Sequence, residues 1–250
     1  MSTNHLTFIT GASRGLGLAM TGQLLNQGHR VVAMARRPTK PDPLPASGEL
    51  ISWEVDLGDS TPVAERLAQF LGAQDPATLA SVSLINNAGV VSELAPLSAG
   101  TSADLANALR VGLEAPMLLT AAFLRATAAW SVPRKVVLIS SGLGRRAMAG
   151  SASYCAAKAG MDHLARAVAL EEAALPHGAR IVSLAPGIID TDMQVQLRSA
   201  DAALFPERER FIGFKSEGQL DSPDTAATKV LRYMARSDFG SNPVGDVRDV

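Results

Sequence analysis

Tyr154 and Lys158 stand four positions apart, and Ser141 lies thirteen positions before the tyrosine. On a helix, positions i and i+4 share one face, so the lysine ammonium falls beside the phenol. A cation there favours phenolate and pulls a tyrosine down from its ordinary pKa of about 10. That makes Tyr154 a candidate proton donor to a carbonyl oxygen, with Ser141 as a second hydrogen bond to the same oxygen. The same spacing also occurs on solvated helix faces. The elements around it must decide between the two.

Those elements alternate. Short β-rich apolar runs at 6–10, 30–35, 50–55, 82–86, 136–140 and 180–185 read as buried strands. Between them, residues 16–27, 62–71, 103–129 and 152–173 carry apolar positions at helical spacing. Strand–helix alternation of this kind predicts a doubly wound parallel sheet between two helical layers, an α/β/α arrangement. The proline-rich stretch 36–48 is a loop. With no repeat, no low-complexity tract and no linker, residues 1–250 read as one domain. After Pro186 the alternation breaks. Residues 190–220 form a mixed-charge helical insertion, placed just past a strand end, where open α/β sheets bind ligands; it reads as a substrate lid. Ser222 is an N-cap ahead of Pro223, opening one more helix.

The first strand runs directly into Gly11, Ala12, Ser13, Arg14, Gly15, Leu16 and Gly17 before a helix. Such glycines let a pyrophosphate approach the helix N-terminus, where free N–H groups and the dipole favour anions. The spacing differs from the GxGxxG fingerprint of other dinucleotide enzymes. NAD-preferring sheets carry an acid at the end of the second strand. Here that strand ends in Ala35 and is followed by Arg36 and Arg37, whose guanidiniums suit a 2′-phosphate, with Arg14 as a third. The expected cofactor is therefore NADP(H). Asp56, after the third strand, either accepts from the adenine amino group or caps its own loop. Asn87, Ala88 and Gly89, after the fourth, either brace the sheet or line the cofactor trench.

Composition bounds the rest. At 47% hydrophobic and 19% charged over 250 residues, the chain can fill one large core. A net charge of −1 gives no reason to expect nucleic acid or an anionic membrane as partner. The lone Cys155 reads as a small filler and points to a reducing compartment. His5, His29, His163 and His177 are scattered without ligand spacing, so no metal is expected. The first residues lack an export signal, and no apolar run approaches the ~20 residues of a membrane span. A cytoplasmic protein is the expectation.

Taken in order, TGASRGLG, NNAG, the Ser141–Tyr154–Lys158 set and Pro186-Gly187 resemble the short-chain dehydrogenase/reductase family over nearly the whole chain. The resemblance implies a Rossmann fold with a seven-stranded sheet, Tyr154 as general acid, Lys158 as ribose ligand and Ser141 as carbonyl orienter. It extends the cofactor set to Leu57, Pro186, Gly187, Ile189, Thr191 and Met193. Within the family, ISSG at 139–142, YCAAKAG at 154–160, APGIIDTDMQ at 185–194 and FKSEGQL at 214–220 look closest to the sepiapterin reductase and benzil reductase branch. Those relatives reduce ketones in 1,2-dicarbonyl or α-hydroxycarbonyl groups. An NADPH-dependent carbonyl reductase is therefore expected, its pocket lined by Leu143, Met148, Ile188, Met193, Phe205, Phe211 and Phe214, with Asp246 reaching in to bind a polar substrate group. A 3-oxoacyl thioester reductase is the alternative enzyme. A non-catalytic NADP(H)-binding regulator is the alternative of another class. One departure bears on that choice: Gly112 stands where the family carries an asparagine of its proton relay. The alanine-rich helices at 103–129 and 152–173 suit packing between subunits, as a homodimer or homotetramer.

Overall fold

Strands buried on both faces form the centre of the molecule. In the computed structural model, which describes residues 4–249, strand β1 (His5–Thr10) sends Leu6 and Phe8 to one face and Ile9 to the other. Strands β2 (Arg30–Ala35), β3 (Glu49–Glu54), β4 (Ser81–Asn86), β5 (Arg134–Ile139), β6 (Arg180–Ala185) and β7 (Val244–Asp246) complete one sheet. All six pairings are parallel, in the order β3-β2-β1-β4-β5-β6-β7. A parallel sheet must be covered on both faces. Helices α2 (Thr61–Gly72), α4 (Ala115–Ala126) and α5 (Ala152–Ala173) pack on the face carrying Phe8, Val32 and Leu138. Helices α1 (Gly15–Asn26) and α8 (Pro223–Ala235) cover the face carrying Ile9, Val31 and Val182. Burying a side chain such as Phe8 contributes about 1.5–3 kcal/mol. The six strand runs and three of the four long helical patterns hold within a residue or two at most ends.

One expectation about the elements needs correction. The helix expected over 103–129 is not continuous: α3 (Ser102–Leu109) runs into a wide π-type turn at Arg110–Glu114, and α4 resumes at Ala115. Gly112 is a poor helix former, and Pro116 at the start of α4 lacks the N–H that would continue the regular ladder. The seventh strand has only Val244, Gly245 and Asp246, too short for periodicity to reveal. Ser222 does cap α8, its Oγ accepting from Thr225 N at 3.1 Å, with Pro223 in the first turn.

Within residues 190–220, α6 (Asp192–Ser199) and α7 (Arg208–Ser216) pack as a helical pair. The segment is closed at its root by a parallel bridge, Asp221 N donating to Ile188 O and Asp190 N to Asp221 O, each at 2.9 Å. Phe205, Phe211 and Leu197 from this segment join Leu94, Leu143 and Met148 in a third apolar cluster, separate from the two sheet faces. Among the described residues, no helix is long and apolar enough to cross a membrane.

Candidate active site

The strand order reverses between β1 and β4, and a cleft opens at the carboxyl ends of the strands around such a point. Here it has a volume of about 1140 Å³ and runs from the glycine turn to the helical segment after β6.

At one end, Gly11 takes a φ of +66° that other residues avoid. A Cβ on Gly17 would come within 2.2 Å of Gly11 O, so helix α1 reaches the turn only without a side chain there. Asn87 fixes this geometry. Its Nδ2 donates to Thr10 O at 2.9 Å and Gly11 O at 3.2 Å, while Thr10 Oγ1 accepts from Asn87 N and Ala88 N at 2.9 and 3.0 Å. The bracing and trench-lining readings of Asn87 therefore hold together, since Asn87, Ala88 and Gly89 also line the cleft. The result is a cradle of backbone N–H groups into which a pyrophosphate fits.

Arg36 and Arg37 follow β2, exposed and lining the cleft, and no carboxylate follows that strand. Arg14 also lines the cleft, but its Nη1 donates to Asp192 Oδ2 at 2.7 Å. With both side chains over 70% exposed, that pair contributes about 0–1 kcal/mol and yields readily. Asp56 caps its own loop, Oδ1 accepting from Gly58 N at 2.8 Å, and the residue lines the cleft beside Leu57.

At the other end, Ser141 follows β5 and its Oγ caps a short 3-10 turn, accepting from Leu143 N at 3.2 Å. Tyr154 and Lys158 project from the first turns of α5 into the same space. Lys158 is buried, and its Nζ donates to Ile139 O at 2.7 Å and lies 5.6 Å from the centre of the Tyr154 ring. Burial pulls the ammonium down to about 8, against the Asp162 carboxylate, which raises it. For the phenol the expectation is reversed. Burial pushes Tyr154 up to about 12, only partly opposed by its hydrogen bond with Ser141. The reason is geometric: the ammonium is directed at the Ile139 carbonyl and over the ring, so desolvation dominates. Tyr154 thus holds its proton at neutral pH, as a donor must.

Gly112 is buried in the π-type turn and faces α5, where its Cβ would lie 3.0 Å from the Ala157 methyl. The space for an asparagine side chain is therefore constricted in this chain.

Leu143, Met148, Ile188, Met193, Phe211 and Phe214 line the cleft. Phe205 does not. It is fully buried, stacked on Phe211 at 5.8 Å between centroids, and supports the wall instead of forming it. Asp246 also needs correction. It lies in β7 outside the lining, and its carboxylate accepts from Arg248 Nε and Nη2 at 2.7 and 2.5 Å. Arg248 lines the cleft in its place. The remaining expected positions, Ser13, Gly15, Leu16, Pro186, Gly187, Ile189 and Thr191, all line the cleft. Sequence reasoning missed Val90, Val91, Asn107 and Arg210, which also line it. Val90 and Val91 follow Gly89 directly, so the strand-end rule was a signal for them; nothing local marks Asn107 or Arg210.

An open parallel sheet with this glycine cradle and a Ser–Tyr–Lys set at its carboxyl edge defines a dinucleotide-dependent oxidoreductase. The chain belongs to the short chain dehydrogenase family, whose profile matches residues 5–202. It is 34% identical to a benzil reductase ((S)-benzoin forming) of Bacillus cereus, over 96% of both chains. It is 31% identical to sepiapterin reductase of Rattus norvegicus, over 97% of this chain and 95% of that one. Among solved structures, a metagenomic short-chain oxidoreductase in complex with NADP matches with a TM-score of 0.72 at 27% identity, covering 98% of this chain and 96% of that one.

Proposed function

We propose that this protein is an NADPH-dependent carbonyl reductase acting on apolar or aromatic ketones in 1,2-dicarbonyl or α-hydroxycarbonyl compounds. The observation that carries the reading is the shared cleft: Ser141, Tyr154 and Lys158 face it beside Leu143, Met148, Phe211 and Phe214, while Arg36 and Arg37 line it after β2. The benzil and sepiapterin reductases among its relatives support the substrate class, and the NADP complex of the metagenomic neighbour supports the cofactor.

The glycine cradle would hold the pyrophosphate, the arginines a 2′-phosphate, and Ile189 with Thr191 the nicotinamide end. Bound there, the reduced nicotinamide supplies hydride for the carbonyl carbon. Tyr154 Oη gives its proton to the carbonyl oxygen while Ser141 Oγ hydrogen-bonds the same atom, so the developing alkoxide becomes the hydroxyl of the alcohol product. Lys158 stabilises the phenolate left behind, and ordered water returns the proton. Residues 190–220 act as the lid that excludes solvent from this step.

The enzyme works in the cytoplasm as a homodimer or homotetramer. Leu109 at the end of α3, Met117 on α4 and Leu170 on α5 are 41%, 44% and 78% exposed, which supports burial between subunits. Sedimentation is expected to give a mass of two or four chains; a monomer at micromolar concentration removes this part of the reading.

NADPH oxidation with a panel of aryl 1,2-diketones tests the activity. Wild type is expected to turn over at least one of them, and Tyr154→Phe to lose about 10²–10⁴-fold in kcat. Equal rates in both, or none in either, would sink the proposal. Arg36→Ala is expected to weaken NADPH binding far more than NADH binding; an unchanged preference would mean that these guanidiniums do not read the 2′-phosphate.

A further inference from the structure

Beneath the cleft lies a buried carboxylate to which the proposed reaction assigns no role. Asp162 stands one turn beyond Lys158 on α5 and is 2% exposed. Its Oδ1 accepts from Ser140 Oγ at 2.7 Å and from Ser183 Oγ at 2.6 Å, and its Oδ2 accepts from Arg145 Nε at 3.1 Å. Arg145 Nη2 in turn donates to Gly245 O at 2.8 Å. One side chain therefore ties α5 to the end of β5, to β6 and, through Arg145, to β7. Ser140 is the residue immediately before Ser141. A Cβ on Gly144 would come within 2.9 Å of both Asp162 Oδ2 and Lys158 O, so the turn after Ser141 rests directly on this network.

We propose that Asp162 is a positioning residue of the Ser141–Tyr154–Lys158 site: it anchors the segment that carries Ser141 and serves as the counter-charge of Lys158. Two features of the structure argue for the pair of tasks. Three donors converge on the carboxylate from β5, β6 and the turn after Ser141, a geometry that fixes those elements relative to α5. And Lys158 has little else to hold its charge. From β5 it meets the Ile139 carbonyl, from the loop after β4 the uncharged Gly89, and from its own helix the sulfur of Met161 and the neutral Tyr154. Asp162, buried four positions further along the same helix face, is the charge that acts on it among the described residues. Arg145, on the far side of the carboxylate, offsets part of that field.

This inference rests on the reductase reading for its kinetic consequences but not for its electrostatic one, so the test has two arms. In the first, protein labelled with ¹³C at lysine Cε is titrated by NMR, with Lys158 assigned by comparison with Lys158→Met. Wild-type Lys158 is expected to titrate near 8. Asp162→Asn keeps the shape but removes the negative charge, so Lys158 is expected to lose its proton at lower pH. Arg145→Gln frees the carboxylate from its own cation, so Lys158 is expected to move the other way. In the second arm, Asp162→Asn is expected to lose about 10²-fold in kcat on a diketone that wild type reduces, with NADPH affinity within about threefold. The alkaline limb of its rate profile is expected to shift down together with the lysine.

An unmoved lysine titration in a folded Asp162→Asn protein overturns the inference, whatever happens to kcat. So does unchanged kcat. If Asp162→Asn does not fold, Arg145→Gln decides, and a Lys158 titration that fails to rise overturns it. Absence of turnover by wild type on every ketone would instead count against the reductase reading and leave the first arm to decide.

Discussion

At the scale of single residues, the proposed catalytic set combines what spacing reveals with what only burial reveals. The i, i+4 relation of Tyr154 and Lys158 was legible because a helix dictates it. The sign of the tyrosine's shift was not, because it depends on where the ammonium points and how dry the pocket is. Asp162 and Arg248 were illegible for a related reason. Their partners are Ser140, Ser183, Arg145 and Asp246, brought to them by the sheet order or a turn, with no local motif. Gly112 permits a direct test. Gly112→Asn restores the family residue, but its Cβ would meet Ala157 at 3.0 Å, tighter than ordinary packing. The expected outcome is a lower Tm, by the few degrees that about 1 kcal/mol represents, and no gain in kcat. A variant that is both faster and no less stable would show that this chain had simply lost a useful side chain.

At the scale of elements, β1 to β6 were readable as short apolar runs and the main helices by apolar residues at helical spacing. The break between α3 and α4 was not, although Gly112 and Pro116 are visible in the sequence; either is tolerated in an intact helix, and their joint effect appears only against α5. The aromatic wall of the 190–220 segment is another collective object. Phe205 packs on Phe211, and Phe211 meets Phe214 edge-on at 5.7 Å. Phe205→Ala in a rigid core would cost about 3–5 kcal/mol. In a satellite cluster set apart from the sheet, the loss is expected mainly as local opening. Ketone KM should then rise several-fold while NADPH affinity and the global Tm change little. A large fall in Tm with normal KM would mean that the cluster is part of the main folding unit.

At the scale of the whole molecule, the two ends of the sheet have separate duties. The carboxyl ends of the strands carry the cleft. At the amino ends, the His5 and His29 rings stack 4.7 Å apart, bonded to Ser81 and Thr7. Burial and the charge of His5 hold His29 down at about 4, and His5 is also lowered. Both fold as neutral imidazoles, so their contribution is present above the ordinary histidine value of about 6.5 and is lost as pH falls toward 4. Calorimetry between pH 7.5 and 5 is expected to show Tm falling, and His29→Gln to flatten that slope; an equal slope in the variant would assign the acid sensitivity elsewhere. The bridge at Ile189 and Asp221 has a consequence of a different kind. It brings the two ends of the 190–220 segment together on a finished scaffold, so closing that excursion costs little more for a longer insert than for a shorter one. If residues 190–220 are the proposed lid, the segment would be an exchangeable cassette: a sequence of different length and chemistry spliced between residues 189 and 221 would redirect which molecules are accepted, with the sheet beneath it left as it is.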